Sequence, residues 1–156
     1  MDWKQLIRSV LMGGTLEPYA ILLVRILLGL FFAISGGYKL LVSSRMETMY
    51  QTLVEAGVPF PRFTTYFVSS VEVVGGLLLI VGFLTSLASA ALLVDMVVAT
   101  LTAKLSTLPK GLAPLDWLDN FLYLPEVLYI VFFVWLICSG PGRFSVDYVL
   151  AAKWLE

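Results

Sequence analysis

The fold is decided by residues 64–102, TTYFVSSVEVVGGLLLIVGFLTSLASAALLVDMVVATLT. This stretch contains two apolar runs that are each long enough for a membrane-crossing helix, with only Thr85 and its immediate neighbours between them. So short a connection predicts a tight antiparallel helical hairpin. Each run also carries one carboxyl group, Glu72 in the first and Asp95 in the second. Because a charge at bilayer depth costs at least about 2.5–3.5 kcal/mol on insertion scales, both side chains are expected to face a helix-lined interior.

Two further apolar runs flank this hairpin. Taken together, the sequence predicts membrane spans at about residues 19–41, 64–84, 86–102 and 122–139. Residues 45–56 follow a helical period with one apolar side, which predicts a short helix at the membrane surface, either a simple anchor or a lid over the other helices. The predicted fold is all-α. It is a single membrane domain over residues 1–156, a four-helix up-down-up-down bundle with this interfacial helix between spans one and two.

The composition supports a membrane protein. Of the 156 residues, 60% are hydrophobic and 13% are charged, whereas a soluble domain has about 45–50% apolar and about 25% charged residues. The formal net charge of -1 offers no basic surface for nucleic acid, so no nucleic-acid partner is expected. Lysine and arginine are nearly balanced between the two sides of the predicted bundle, with a slight excess that favours cytoplasmic termini.

The residues that usually hold redox metals are almost missing from the sequence. The chain has no histidine and one cysteine, Cys138. This excludes bis-histidine haem, imidazole metal sites, an intrachain disulfide and a cysteine-ligated iron–sulfur cluster. We therefore expect no haem, iron–sulfur cluster or metal ion to be ligated by this chain.

Six charged residues lie in or at the ends of the apolar runs: Arg25, Lys39, Glu72, Asp95, Lys104 and Glu126. At about 1.5 Å per residue, the three carboxyl groups fall roughly 15–20 Å above the end of the bundle that contains Thr85, in one layer. The two lysines fall at roughly 28–30 Å, above that layer, and Arg25 at roughly 9 Å, below it. In the first span, Gly29 and Gly36 share the face of the cations and allow a neighbouring helix to approach closely.

A layer of three carboxyl groups has two interpretations. Three carboxylates in a dry interior cannot all stay ionised cheaply, so one is expected to hold a proton near neutrality. Such a cluster is a candidate functional site. The alternative is an ion-pair network that only fixes the order of the helices, and the balanced count of acids and bases fits both.

Several segments follow one another in a fixed order: RILLGLFFAISGGYKL at 25–40, EAGVPFP at 55–61, VEVVGGLLLIVGFLT at 71–85, DMVVAT at 95–100 and GPGRFSVD at 140–147. In this order and spacing they resemble the DoxX/DoxD-like family of integral membrane proteins, over roughly residues 20–148. The resemblance implies a compact four-helix protein of a prokaryotic cell membrane, often linked to quinone-dependent redox chemistry. By position, it implies functional roles for Arg25, Lys39, Glu72, Asp95 and Glu126.

The first functional hypothesis is a quinone or quinol site in a redox complex, with the lipid bilayer and partner subunits as neighbours. An enzymatic role would then be that of one part of a quinone-dependent oxidoreductase whose redox centre lies on another subunit. Phe31, Phe32 and Phe133 are expected to wall the site. The predicted catalytic, proton-carrying residues are Glu72, Glu126 and Asp95, and the predicted quinone-binding residues are Arg25, Tyr38, Lys39 and Lys104.

Two other hypotheses come from different classes. The chain could be a structural or assembly subunit of a membrane complex with no catalysis of its own, in which the charged layer fixes helix order. A small transporter or proton carrier is less favoured, because the sequence shows no internal repeat and no broken midplane helix.

Overall fold

The computed structural model describes residues 16–154 together with Trp3. The remaining positions of the predicted domain 1–156, namely 1–2, 4–15 and 155–156, lie outside the described residues. Within the described part the secondary structure is helical, without a strand. The α-helices are α1 (Glu17–Leu41), α2 (Ser43–Glu55), α3 (Pro61–Val81), α4 (Thr85–Ala99), α5 (Pro114–Leu122), α6 (Pro125–Ser139) and α7 (Val146–Trp154).

Helix α1 packs along α3, and glycines set how close the two come. A Cβ atom added to Gly36 would lie 2.6 Å from the carbonyl oxygen of Ser69, and one added to Gly76 would lie 2.5 Å from the backbone nitrogen of Ala33. No larger residue fits at these contacts unless the backbones separate. Small residues therefore bring the two helices into backbone contact, as they do between membrane helices in general.

The α3–α4 hairpin is as tight as its sequence predicts. Gly82 ends α3 with φ +73°, and α4 begins at Thr85, so three residues make the turn. Glycine adopts this left-handed conformation without the steric cost that a Cβ atom imposes. Beyond Ala99 the third span continues as a π-helix, Thr100–Lys104, and a short 3₁₀ turn, Leu105–Thr107.

The fourth predicted span, residues 122–139, is helical from Pro125 to Ser139 as α6. Just before it the chain breaks, and α5 meets α6 at an angle of 66°. Pro125 explains the break, because proline has no N–H to donate and disfavours a helical conformation at the preceding residue. Leu124 is accordingly extended, with φ -66° and ψ 123°.

Three segments are long and apolar enough to cross a membrane: α1, α3, and the third span from Thr85 to Thr107. They become four if α5 and α6 together form one span. The core between them contains Leu79, Leu92, Phe133 and Leu136, all fully buried. Many large apolar side chains are instead exposed on the outer faces of the helices, among them Leu23, Phe67, Leu87 and Val131. Membrane-spanning helices with such faces contact the acyl chains of the bilayer.

Candidate functional site

A cavity of about 320 Å³ lies beneath α2, between the helices of the spans. It is lined by residues of α1, α2, α3 and α6 and of the third span. All three predicted carboxyl residues, Glu72, Asp95 and Glu126, belong to its lining, together with Lys39 and Lys104. The structure thus brings five of the seven sequence-predicted site residues to one place.

Two ion pairs cross the cavity between different helices. Lys39, in the last turn of α1, places its Nζ atom 2.7 Å from both carboxylate oxygens of the buried Glu72 on α3. Lys104, the last residue of the π-helix, places its Nζ atom 3.0 Å from Oε1 of Glu126 in the first turn of α6. Each lysine therefore holds one carboxylate. The π-helical turn is a feature that occurs often at functional sites.

The lining also contains carboxylate oxygens without a partner. Oε2 of Glu126 and Oδ2 of Asp95 are both buried, and neither accepts a hydrogen bond within the part of the chain that the structure describes. Asp95 also takes part in no ion pair among those residues. Buried polar atoms are normally hydrogen-bonded, so an orphaned oxygen in a cavity calls for an explanation.

The sequence was compared with known families and proteins. The DoxX family model matches residues 20–105, which is more than half of the chain. The chain belongs to the DoxX family. It is also 30% identical, over 142 residues, to the uncharacterized membrane protein Rv3486 of Mycobacterium tuberculosis, an alignment that covers 87% of this chain and 84% of that protein. No solved structure matches the chain.

The family match confirms the resemblance seen in the sequence. It covers only part of the cavity lining. The matched region of this DoxX protein includes Lys39, Glu72, Asp95 and Lys104, whereas Glu126 lies beyond its end. The ion pair between Lys104 and Glu126 therefore joins the matched region to the last span.

Helix α2 covers the cavity with Thr48, Met49, Thr52 and Leu53. Of the two roles predicted for this interfacial helix, its position fits the lid. It also contributes Arg45, a cation that sequence reasoning missed and that is exposed at the cavity edge. The extended backbone of Val42, between α1 and α2, turns the chain so that Arg45 comes near Lys39. No spacing rule in the sequence predicts this turn.

Tyr38 does not line the cavity. Its side chain is exposed and lies in a neighbouring surface recess, beside Lys39 and Arg45. Adjacent residues on an α-helix point about 100° apart, so Lys39 can face the cavity while Tyr38 faces outward.

Arg25 also lies away from the cavity. Its guanidinium group is buried and donates hydrogen bonds to the carbonyl oxygens of Pro141 and Phe144, in the C-terminal turn of the DoxX chain. Gly82 packs against it so closely that an added Cβ would lie 2.7 Å from Arg25 Cζ. The structure therefore does not bring Arg25 to the site where it was predicted to bind a quinone.

Of the predicted aromatic walls, Phe32 and Phe133 belong to the core instead, and Phe31 is exposed on the outer side of α1. Phe32 and Phe133 are fully buried, with ring centroids 5.2 Å apart, and Tyr129 packs on Phe32 at 5.4 Å. None of these rings is part of the cavity lining, and neither is Phe31. The apolar part of the lining comes from other residues, including Met49, Met96 and Val98.

Proposed function

We propose that this DoxX protein is a membrane subunit that binds a quinone or quinol in the cavity beneath α2, as part of a redox complex. The observation that carries the proposal is the convergence of three carboxyl groups and two lysines on a cavity of about 320 Å³ inside apolar helices. Small-molecule sites typically measure about 300–1,000 Å³ and combine an apolar lining with a few placed polar groups. A quinone head group suits a site of this size, because it combines an apolar ring with two polar oxygens.

Each part of the lining has a role in this proposal. The lysine–carboxylate pairs hold Lys39 and Lys104 beside the head group, and the carboxyl groups of Glu72, Asp95 and Glu126 exchange protons with it. The lining also reaches Val98, which is 49% exposed on the outer side of the third span. An isoprenoid tail could leave the cavity toward the lipid beside this residue.

The proposal includes an arrangement in the membrane. The four spans run up-down-up-down in a prokaryotic cell membrane, with α5 and α6 forming one broken span and the termini in the cytoplasm. A non-helical break at bilayer depth is tolerated where it lines a cavity, and the break before Pro125 adjoins Glu126 in the lining. The lid α2 then lies at the opposite surface from the termini.

Electron transfer in this proposal depends on a partner subunit. A quinone takes up two electrons and two protons to become the quinol, and the quinol releases them when it is oxidised again. The sequence offers no histidine and a single cysteine to hold a redox metal. The chain would bind and orient the quinone and exchange its protons, while the electrons pass to or from a redox centre on the partner.

Binding can be tested on the purified chain in lipid nanodiscs. A quinone with a short isoprenoid tail is titrated by calorimetry, and we expect saturable binding that Glu72→Gln weakens. Glu17→Gln is the matched control, because Glu17 lies exposed at the start of α1, far from the cavity. Binding that does not saturate in the unmodified protein would rule out the proposed site.

A second function is supported by the same two ion pairs. Lys39–Glu72 joins α1 to α3, and Lys104–Glu126 joins the third span to α6, as a network that only fixes helix order would do. The chain would then be an assembly subunit without catalysis. Glu72→Gln separates the two functions in cells. Redox activity falls at a normal protein level if the site is functional, whereas the partner fails to accumulate if the role is assembly.

A further inference from the structure

The polar atoms of the cavity lining that lack a hydrogen-bond partner are of one kind. Within residues 16–154, the lining has two buried atoms without a partner, Oδ2 of Asp95 and Oε2 of Glu126, and both are acceptors while their carboxyl groups are ionised. Glu126 as a whole is only 9% exposed, so water from outside has little access to it. A ligand that fills the cavity meets oxygens that need a hydrogen.

The threonines of the lining strengthen this bias. Each of the four donates its hydroxyl hydrogen to a backbone carbonyl of its own segment: Thr48 to Ser44, Thr52 to Thr48, Thr64 to Pro59 and Thr102 to Val98. A hydroxyl group has one hydrogen, so only its lone pairs remain for a ligand. These four side chains therefore offer lone pairs only; Thr52 and Thr64 are half-buried, whereas Thr48 and Thr102 are exposed to solvent.

The cations of the lining already have partners or reach solvent. Lys39 donates to both oxygens of Glu72, and Lys104 pairs with Oε1 of Glu126. Their side chains are 23% and 43% exposed, so water can take their remaining N–H groups. Arg45 is exposed at the edge. Within the described part of the chain, the buried lining atoms that remain unpartnered are thus carboxyl oxygens.

We propose that the cavity, with Asp95 and Glu126 ionised, selects the reduced form of its ligand, the hydroquinone, over the oxidised quinone. This inference rests on the proposed quinone site. A hydroquinone brings two hydroxyl donors, which can satisfy Asp95 and Glu126. A quinone brings two carbonyl acceptors, which leave both oxygens unpartnered. A site built to bond a hydroxyl group discriminates strongly against an analogue that lacks it, because its buried polar groups are then left unpaired.

The test compares three ligands with the same ring on the unmodified chain in nanodiscs, under anaerobic and reducing or oxidising conditions as each ligand requires. They are a hydroquinone, the corresponding quinone and the hydroquinone dimethyl ether, which keeps the ring and loses both donors. We expect the hydroquinone to bind on the order of tenfold more tightly than the other two, the effect of about one charge-assisted hydrogen bond. Equal or tighter binding of the quinone overturns the inference and leaves the proposed site intact. Binding of none of the three overturns the proposed site itself.

The variant Asp95→Asn then tests whether Asp95 causes the preference for hydroquinone. This change is nearly isosteric and breaks no ion pair among residues 16–154, since Asp95 forms none there. The new amide can donate to a carbonyl, so the preference for hydroquinone should fall severalfold or reverse, while Glu17→Gln leaves it unchanged. An unchanged preference in Asp95→Asn, together with one unchanged in Glu126→Gln, contradicts the assignment.

Discussion

Charged side chains of α1 contact the bundle interior at two places, and their partners differ, although Nε of Arg25 has no partner among the described residues. Near its start, Arg25 bonds main-chain carbonyls of the C-terminal turn, and Asp147 of α7 accepts hydrogen bonds from the backbone N–H groups of Leu84 and Thr85 at 2.8 Å each. Near its end, 14 residues or roughly 21 Å further on, Lys39 bonds only a side chain, Glu72, beside a cavity that still has unpartnered oxygens.

This contrast separates a structural charge from a candidate functional one. Around Arg25 the packing is closed, because Gly82 and Ser145 leave no space beside the guanidinium group. Backbone carbonyls also cannot move without unfolding the turn. Around Glu72 there is room for a ligand, and side-chain partners can rearrange. A buried charge in a membrane protein is a functional candidate by default, and here local packing decides between the two cases.

The largest loss of stability is expected for Arg25, where the packing is closed. Arg25→Met removes two charge-assisted hydrogen bonds and leaves the carbonyls of Pro141 and Phe144 without these donors. At about 1.5–3 kcal/mol for each such bond, the free energy of unfolding should fall by about 3–6 kcal/mol. Denaturant titration in mixed micelles measures the change. A variant as stable as the parent would show that the C-terminal turn is held by something else.

A slightly smaller effect is expected at Gly82. Alanine there must adopt a φ angle of +73° and place its Cβ 2.7 Å from Arg25 and from Ser145. Gly82→Ala should therefore lower the free energy of unfolding by about 2–3 kcal/mol, from backbone strain and the contact with Arg25 together. Gly37→Ala is the matched control, since nothing lies within 4 Å of its Cβ position and alanine favours the helix. Equal thermal stability of the two variants would contradict the closed packing.

The sequence predicted the surroundings of Glu72 better than the surroundings of Arg25, for a physical reason. Helical period and rise fix the side and height of Glu72 and Asp95, so their shared layer follows from spacing. Spacing places Lys39 above that layer, and its long side chain reaches down to Glu72. The partners of Arg25 are backbone carbonyls more than a hundred positions away in the chain, and a carbonyl has no signature in the sequence.

The positions where the chain bends could not be predicted from helical spacing. Arg45 reaches the cavity only because Val42 is extended, and α5 diverges from α6 only because Pro125 interrupts the span. A hydropathy pattern records which residues are apolar, and it does not record a local change of chain direction. Tyr38 was assigned to the site for its chemistry, although its neighbour Lys39 already occupies the inward face of α1.

At the cavity end, breaking an ion pair should cost less than breaking the Arg25 contacts. Lys39→Met leaves the buried Glu72 without its partner, but Lys39 is partly exposed and the cavity can admit water. We expect the free energy of unfolding to fall by about 2 kcal/mol, below the 3–5 kcal/mol typical of a fully buried pair. The double variant Lys39→Met/Glu72→Leu should recover most of the loss, since no unpaired charge remains. A double variant less stable than Lys39→Met would contradict this account.

The smallest effect is expected for Lys104. Its side chain is 43% exposed, and its distance to Glu126 of 3.0 Å is longer than that of the Lys39 pair. The side chain of Glu126 is only 11% exposed, so losing Lys104 leaves a buried carboxylate unpaired, but water and salt reach the Lys104 side of the pair and weaken it. Lys104→Met should therefore lower the unfolding free energy by about 1 kcal/mol, less than Lys39→Met, and the difference from the parent should shrink at high ionic strength. A loss as large as that of Lys39→Met, unaffected by salt, would mean that Lys104 is held inside the cavity as firmly as Lys39, and the contrast between an inner and an outer lysine would no longer hold.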